Sequence, residues 1–157
     1  MKRIGRRSVL AIVAIIGVAW ISSAATALAA ELGVMDLSKE KVAEVQQFIQ
    51  KEKERGGVDE ISVYATDKEG NTTRIASTNL SIIGKPADPE DIDAIIDDKV
   101  VTISEGKILD VTVPIHNAKG EPAAVAGVKL EVGGRDKEAV GKEAEEVAKK
   151  IGAILNK

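Results

Sequence analysis

The chain has 157 residues, 22 Lys+Arg against 25 Asp+Glu, and no cysteine, which excludes disulfides, thiolate metal sites and cysteine nucleophiles. Lys2, Arg3, Arg6 and Arg7 supply all the charge of the first thirty residues; without them the remainder is about −7 and has no basic patch for nucleic acid. One Trp, one Tyr, one Phe and one His leave few side chains suited to catalysis, so an enzyme is the less favoured class.

Met1 to Arg7 forms a basic stretch, Val9 to Ile21 a nearly unbroken apolar run, and Ser22 to Ala30 a stretch rich in small residues. Ala27 and Ala29 provide the small −3 and −1 residues a signal peptidase accepts, so residues 1–29 read as a signal peptide cut before Ala30. Val9 to Ala30 would also span a bilayer uncut, which makes a retained N-terminal membrane anchor the alternative. Either outcome places the remainder outside the cytoplasmic membrane, in the periplasm or secreted. Arg6-Arg7-Ser8 resembles a twin-arginine signal, but the very hydrophobic run that follows suits the general secretion route better.

Ser38 is placed to cap a helix running to about Arg55, with Val42, Val45 and Ile49 at helical spacing, Phe48 beside them and Gly56-Gly57 as the stop. Glu60 to Thr66 alternates, with Ile61, Val63 and Ala65 on one face and Ser62, Tyr64 and Thr66 on the other. Asp67 to Asn71 is turn chemistry, and Thr72 to Ser77 returns as a second strand. Thr78 to Ala87 has no clear period. Asp88-Pro89-Glu90-Asp91 starts a short helix, with Asp88 as cap and Ile92, Ile95 and Ile96 as its buried side. Three strands follow, Val100 to Ser104, Ile108 to His116 and Ala123 to Val132, separated by hairpin turns. Asp136 caps a final helix to about Leu155, with Val140, Ala144, Val147, Ile151, Ile154 and Leu155 as its apolar stripe. This order specifies one α+β domain over residues 30–157. Its five-stranded antiparallel sheet has the long N- and C-terminal helices on one face and the segment from Thr78 to Asp98 crossing the other.

Tyr64 to Asn71, Ile75 to Asn79, Ile83 to Asp91, and Val111 to Pro122 continuing into Gly127-Val128 together resemble the extracytoplasmic Cache (PAS-like) sensor domains. The resemblance implies a sensor module that holds a small molecule between the sheet and the crossing segment. A second resemblance, over Gly127 to Leu155, is to secreted haem-binding proteins of the GlcG/HbpS kind, and it implies His116 as a haem ligand. A third possibility is a structural or assembly module that uses the two long helices.

A ligand pocket of the kind the Cache resemblance implies would lie under Thr78 to Asp98, on the sheet face away from the long helices. The candidate contacts are Tyr64 and Arg74 from the first hairpin, Asn79 from the crossing segment, and Thr112 and His116 from the fourth strand. Thr112 and His116 share a face because side chains alternate along a strand. An Arg with a Tyr and an amide suits a carboxylate-bearing metabolite. A lone histidine gives no zinc site, and no nucleophile elbow precedes a helix. The acidic run Asp88, Glu90, Asp91, Asp93, Asp97 and Asp98 lacks EF-hand spacing and reads as a solvated helix face. Gly133-Gly134-Arg135 reads as a hinge. The expectation is an exported binding domain without catalysis, cofactor or metal. Its partners would be a small molecule and a membrane signalling or transport protein, with oligomerisation possible.

Overall fold

A computed structural model describes residues 32–157. The expectations for the leader, its cleavage and its anchoring fall on residues that lie outside the described ones. The elements are α1 (Lys39–Glu54), β1 (Val58–Thr66), β2 (Thr72–Ser77), a single 3-10 turn (Leu80–Ile82), α2 (Pro89–Asp97), β3 (Val101–Glu105), β4 (Ile108–His116), β5 (Pro122–Glu131) and α3 (Lys137–Leu155). The strands form one antiparallel sheet in the order β2-β1-β5-β4-β3. The α+β architecture expected from the sequence is the one found.

The caps explain where the long helices begin. Ser38 Oγ accepts from Lys41 N at 3.2 Å, and Asp136 Oδ1 accepts from Ala139 N at 3.0 Å, each satisfying a donor with no partner in the first turn. Asp88 occupies the cap position of α2, but its side chain makes no capping bond. Its carboxylate turns instead towards Arg74.

The β1–β2 and β4–β5 turns use one five-residue solution. Asp67 Oδ1 accepts from Glu69 N and Asn71 N at 2.9 and 2.8 Å; Asn117 Oδ1 accepts from Lys119 N and Glu121 N at 2.9 and 3.1 Å. The fourth residue must be left-handed, and Gly70 and Gly120 supply φ of 82° and 81° there. The backbone bonds onto Asp67 hold its carboxyl below the usual carboxylate range.

The two long helices lie on one face of the sheet. Val45 and Ile49 of α1, with Val140, Ala144, Val147, Ala148 and Ile151 of α3, bury against Ile61, Val63, Val111, Val128 and Leu130. A much smaller apolar cluster, Tyr64, Ala94, Ile95 and Val125, lies on the opposite face beneath α2, with Leu32, Ala87 and Val101 packed at its margin. The helix α2 therefore buries Asp91, Ala94 and Ile95, spaced i, i+3, i+4. Ile92 is only half-buried and Ile96 is exposed, which corrects the buried side expected from the isoleucines alone.

The crossing segment is fastened to the sheet by its backbone. Arg74 N donates to Lys85 O at 2.9 Å, Gly84 N to Arg74 O at 2.8 Å and Ala87 N to Thr72 O at 3.1 Å, so residues 84–87 cover part of the β2 edge. The opposite side is blunted differently. Pro114 has no N–H to offer beyond the end of β3, and Asn156 Nδ2 donates to His116 O at 2.8 Å.

The chain joins the domain through a strap ahead of α1. Gly33 N donates to Pro122 O at 2.9 Å, Met35 N to Thr66 O at 3.2 Å, and Asn117 Nδ2 to Val34 O at 3.2 Å. Gly33 lies so close to the β4–β5 turn that an added Cβ would stand 2.7 Å from Glu121 Cβ. Gly33→Ala is therefore expected to destabilise the domain by about 1–2 kcal/mol through overpacking. A lower urea midpoint with an unchanged slope would show it; an unchanged midpoint would mean the strap contributes nothing.

Candidate functional site

The site grows out of one irregularity in β2. Val63 pairs with Ala76, but Tyr64 pairs with Arg74, so Ile75 is the extra residue of a β-bulge. Strict alternation would put Arg74 on the same face as Ala76, a guanidinium inside the apolar core. The bulge sends Ile75 to the helix side and turns Arg74 to the α2 side opposite Tyr64.

Arg74 is 7% exposed. Its Nη2 donates to Tyr64 Oη, its Cζ sits 4.6 Å from the Tyr64 ring centroid, and Nη2 lies 3.6 Å from Asp88 Oδ2. Nη1 donates to Ile82 O at 3.4 Å. Nε has no partner, the one such buried side-chain atom among the described residues.

Next to this pair the sheet carries a row of small side chains. Ser62 stands opposite Ser77 on one side and Gly127 on the other, and Gly127 stands opposite Thr112. The missing side chain of Gly127 opens a trough: a Cβ there would lie 3.8 Å from Asp91 Oδ1 and 3.9 Å from Thr112 Oγ1. The first turn of α2 roofs it, giving a polar cavity of about 60 Å³. Glu60, Asp88, Glu90, Asp91 and Asp110 line it, against only Arg74 and Lys129.

Burial sets the electrostatics. Asp91 is 6% exposed, and desolvation pushes its pKa from 3.8 to about 6 despite a hydrogen bond with Tyr64. Burial likewise pushes the Tyr64 phenol up. Asp110 is raised by burial, against the pull of Lys129, which stands opposite it in the ladder at 3.3 Å. Desolvation works to lower Lys129, but Asp110, Glu105 and Glu60 outweigh it and hold its pKa above the ordinary value.

Three of the five candidate residues meet at this cavity: Tyr64, Arg74 and Thr112. Asn79 does not. It is exposed, and its Oδ1 accepts from Ser81 N and Ser81 Oγ to start the 3-10 turn. His116 stands at the other end of α2, where Nε2 lies 2.9 Å from Asp98 Oδ1. Asp98 is the helix's C-cap and the one non-glycine residue with positive φ among those described. Seven residues of helix, about 10 Å, separate Asp98 from Asp91. Sequence reasoning missed Asp91, taken there for part of a solvated face. Its i, i+3, i+4 relation to Ala94 and Ile95 was the available signal. Asp110, Lys129, Glu60, Ser62 and Gly127 follow from strand parity once Thr112 and Tyr64 are placed.

No family model and no curated protein matches this chain. Solved structures do. A type II free methionine-R-sulfoxide reductase from Thermoplasma acidophilum is 17% identical, covers 78% of this chain and 99% of its own, and superposes with a TM-score of 0.51. The GAF domain region of a putative membrane protein from Geobacter sulfurreducens PCA is 15% identical, over 71% and 93%, at 0.52. A GAF domain/HD domain protein from Geobacter sulfurreducens is 10% identical, over 74% and 90%, at 0.51. The fold is of the PAS/GAF type. Identities this low carry the fold and nothing of the chemistry.

The buried Asp91 has a direct consequence for stability. The folded chain holds its proton up to about pH 6, whereas an unfolded aspartate releases it near 3.8, so stability declines as pH rises through that window. Asp91→Asn is expected to remove that decline and to raise stability at about pH 7.5 by roughly 1–3 kcal/mol. Denaturant titrations at several pH values check it, and a variant less stable than the parent at pH 7.5 would refute the buried charge.

Proposed function

We propose that this chain is an exported, non-catalytic sensor domain of the Cache kind that binds a small molecule in the cavity beneath α2. The observation that carries the proposal is the buried Nε of Arg74 left without an acceptor beside a polar cavity. An unsatisfied buried donor costs about 1–3 kcal/mol, a cost borne at the edge of this cavity and nowhere else among the described residues. The bulge, the glycine and the buried aspartate all work against stability at the same place. Their concentration there fits a site kept for binding.

Binding is expected to tighten α2 against the sheet and so alter a surface that a membrane signalling or transport protein reads. The segments that resemble Cache domains support the sensor assignment, and the PAS/GAF fold is compatible with it. The sequence has no cysteine, which excludes thiol chemistry. The haem alternative would use a different place: His116 is exposed, engaged by Asp98, and lines an open groove of about 440 Å³ against α3, away from the cavity beneath α2. The assembly alternative has one observation in its favour, an apolar groove of about 400 Å³ beside α1, lined by Leu37, Val42, Ala43, Ile75 and Ile83.

A thermal-shift screen against organic acids, amino acids, amines, polyamines and haemin tests the proposal. A ligand at 100 times its Kd stabilises by ~2.7 kcal/mol, several degrees for a domain of this size. The shift is expected to disappear in Arg74→Ala and to survive in His116→Ala. No response from any class, together with a mass that grows with concentration, would favour the assembly module instead.

A further inference from the structure

The edges of the sheet are not protected alike. Residues 84–87 pair along β2, while Pro114 and the Asn156 bond to His116 close the part of β4 that runs beyond β3. Strand β3 (Val101–Glu105) has no such cover. All of it after Val101 is exposed, and it holds no proline, no bulge and no lysine, the devices that keep an edge single. Helix α2 passes over β5 and β4, and α3 packs on the same two strands, so neither helix lies across β3.

The ladder fixes which groups face outward. Glu105 and Ile108 flank the two-residue turn Gly106-Lys107, entered by Gly106 at φ 62°, and form the hydrogen-bonded pair that closes it. Alternation then commits Ile103 and Val101 to β4 and leaves the N–H and C=O of Thr102 and Ser104 pointing out of the edge. No backbone group outside the sheet bonds to them among the described residues. The side chains of Thr102 and Ser104 face the α3 side, where an open groove of about 430 Å³ runs between β3 and the start of α3.

Charge selects a register. Lys99, just ahead of β3, and Glu105, at its end, are both exposed. Asp97 and Asp98 stand at the negative end of α2, whose last turn holds no basic residue. An antiparallel second copy with Thr102 opposite Thr102 sets Lys99 against Glu105 and brings Lys107 to the Asp97–Asp98 end of α2, each contact made twice about the two-fold axis. Centring on Ile103 keeps the hydrogen-bond parity but sets Lys99 against Lys107. Centring on Val101 sets Glu105 against Asp97, and a centre between two residues loses the parity.

We propose that the free edge of β3 pairs antiparallel with β3 of a second copy of this chain, centred on Thr102, so that the two sheets join into one. Val101 packs beside Ile103 of the second copy on the α2 side, and Val100, otherwise exposed, enters the groove beside Ser104 of the second copy. None of these residues lines the cavity beneath α2. Strands this short make a small interface, so a dissociation constant on the order of 10–100 μM is expected.

The lack of native cysteine makes the register directly readable. The full chain carrying Val101→Cys, Thr102→Cys, Ile103→Cys or Ser104→Cys is oxidised mildly, and the rate of cross-linked dimer formation is followed. Directly opposed, hydrogen-bonded residues have Cα atoms ~5.5 Å apart, within the ~4.4–6.8 Å a disulfide spans; at the other three positions a residue and its own copy lie beyond about 7 Å. Thr102→Cys is therefore expected to cross-link at least tenfold faster than the others. In sedimentation, Glu105→Lys is expected to weaken the dimer about tenfold, and mixing it with Lys99→Glu to restore it. Thr102→Pro removes only an outward N–H, so it should abolish the dimer at an unchanged urea midpoint, which separates lost pairing from lost folding. A parent that stays monomeric at about 500 μM, a fastest cross-link at another position, equal rates at all four, or an association undiminished in Glu105→Lys would each overturn the pairing.

Discussion

Strand order is the constraint from which the rest follows. With β2 and β3 at opposite edges, the chain between them must traverse the full sheet, about 19 Å for four strand spacings. Residues 78–100 do this on the face the long helices leave free. They pair first along the β2 edge, and α2 then passes over β5 and β4. The crossing segment here is short and only partly apolar. It becomes a turn, a short run along the β2 edge and a nine-residue helix, and its first helical turn roofs a trough in the sheet.

The two faces consequently divide the work. Helices α1 and α3 bury most of the aliphatic side chains of the domain against β1, β4 and β5, where small residues let α3 approach closely. Gly152 is the tightest point: a Cβ there would stand 3.2 Å from Ile115 Cγ2. That face supplies most of the hydrophobic stabilisation. The α2 face has a cluster of four buried residues and a polar cavity beside it. Only because the first face is well packed can the second keep an ionisable aspartate and an arginine with an unpartnered Nε in near-complete burial. Each works against folding, and neither is needed to hold the sheet together.

How much of this was legible depends on whether the signal was local. Period-two alternation placed Tyr64 opposite Ile61 and Val63 in face, and Thr112 with it, because strand parity needs nothing but the chain. Caps at Ser38 and Asp136 and the hairpin turns were legible for the same reason. The Ile75 bulge was not: it appears only as a mismatch between two strands, and β2 alone reads as regular. Asp91 was hidden by a competing local rule. Acidic residues in a first helical turn usually face solvent and the helix dipole, and Glu90 and Asp93 do remain exposed. What buries Asp91 is the crossing, which lays that side of α2 on Gly127 and Thr112. His116 misled in the opposite way. Its parity with Thr112 was correct, but α2 lies along β4, so the same face meets Asp91 at one end and Asp98 at the other.

The N-terminal strap runs beside this site. Leu32 packs against the cluster of Tyr64, Ile95 and Val125, the apolar neighbour of the cavity, and Gly33 to Met35 then crosses to the long-helix side through bonds to Pro122 and Thr66. A shift of α2 therefore changes the surface on which Leu32 rests. Close packing makes such neighbours move together or not at all. Tyr64 belongs to that cluster and holds Arg74 through its hydroxyl and its ring, so the strap and the guanidinium border the same few side chains.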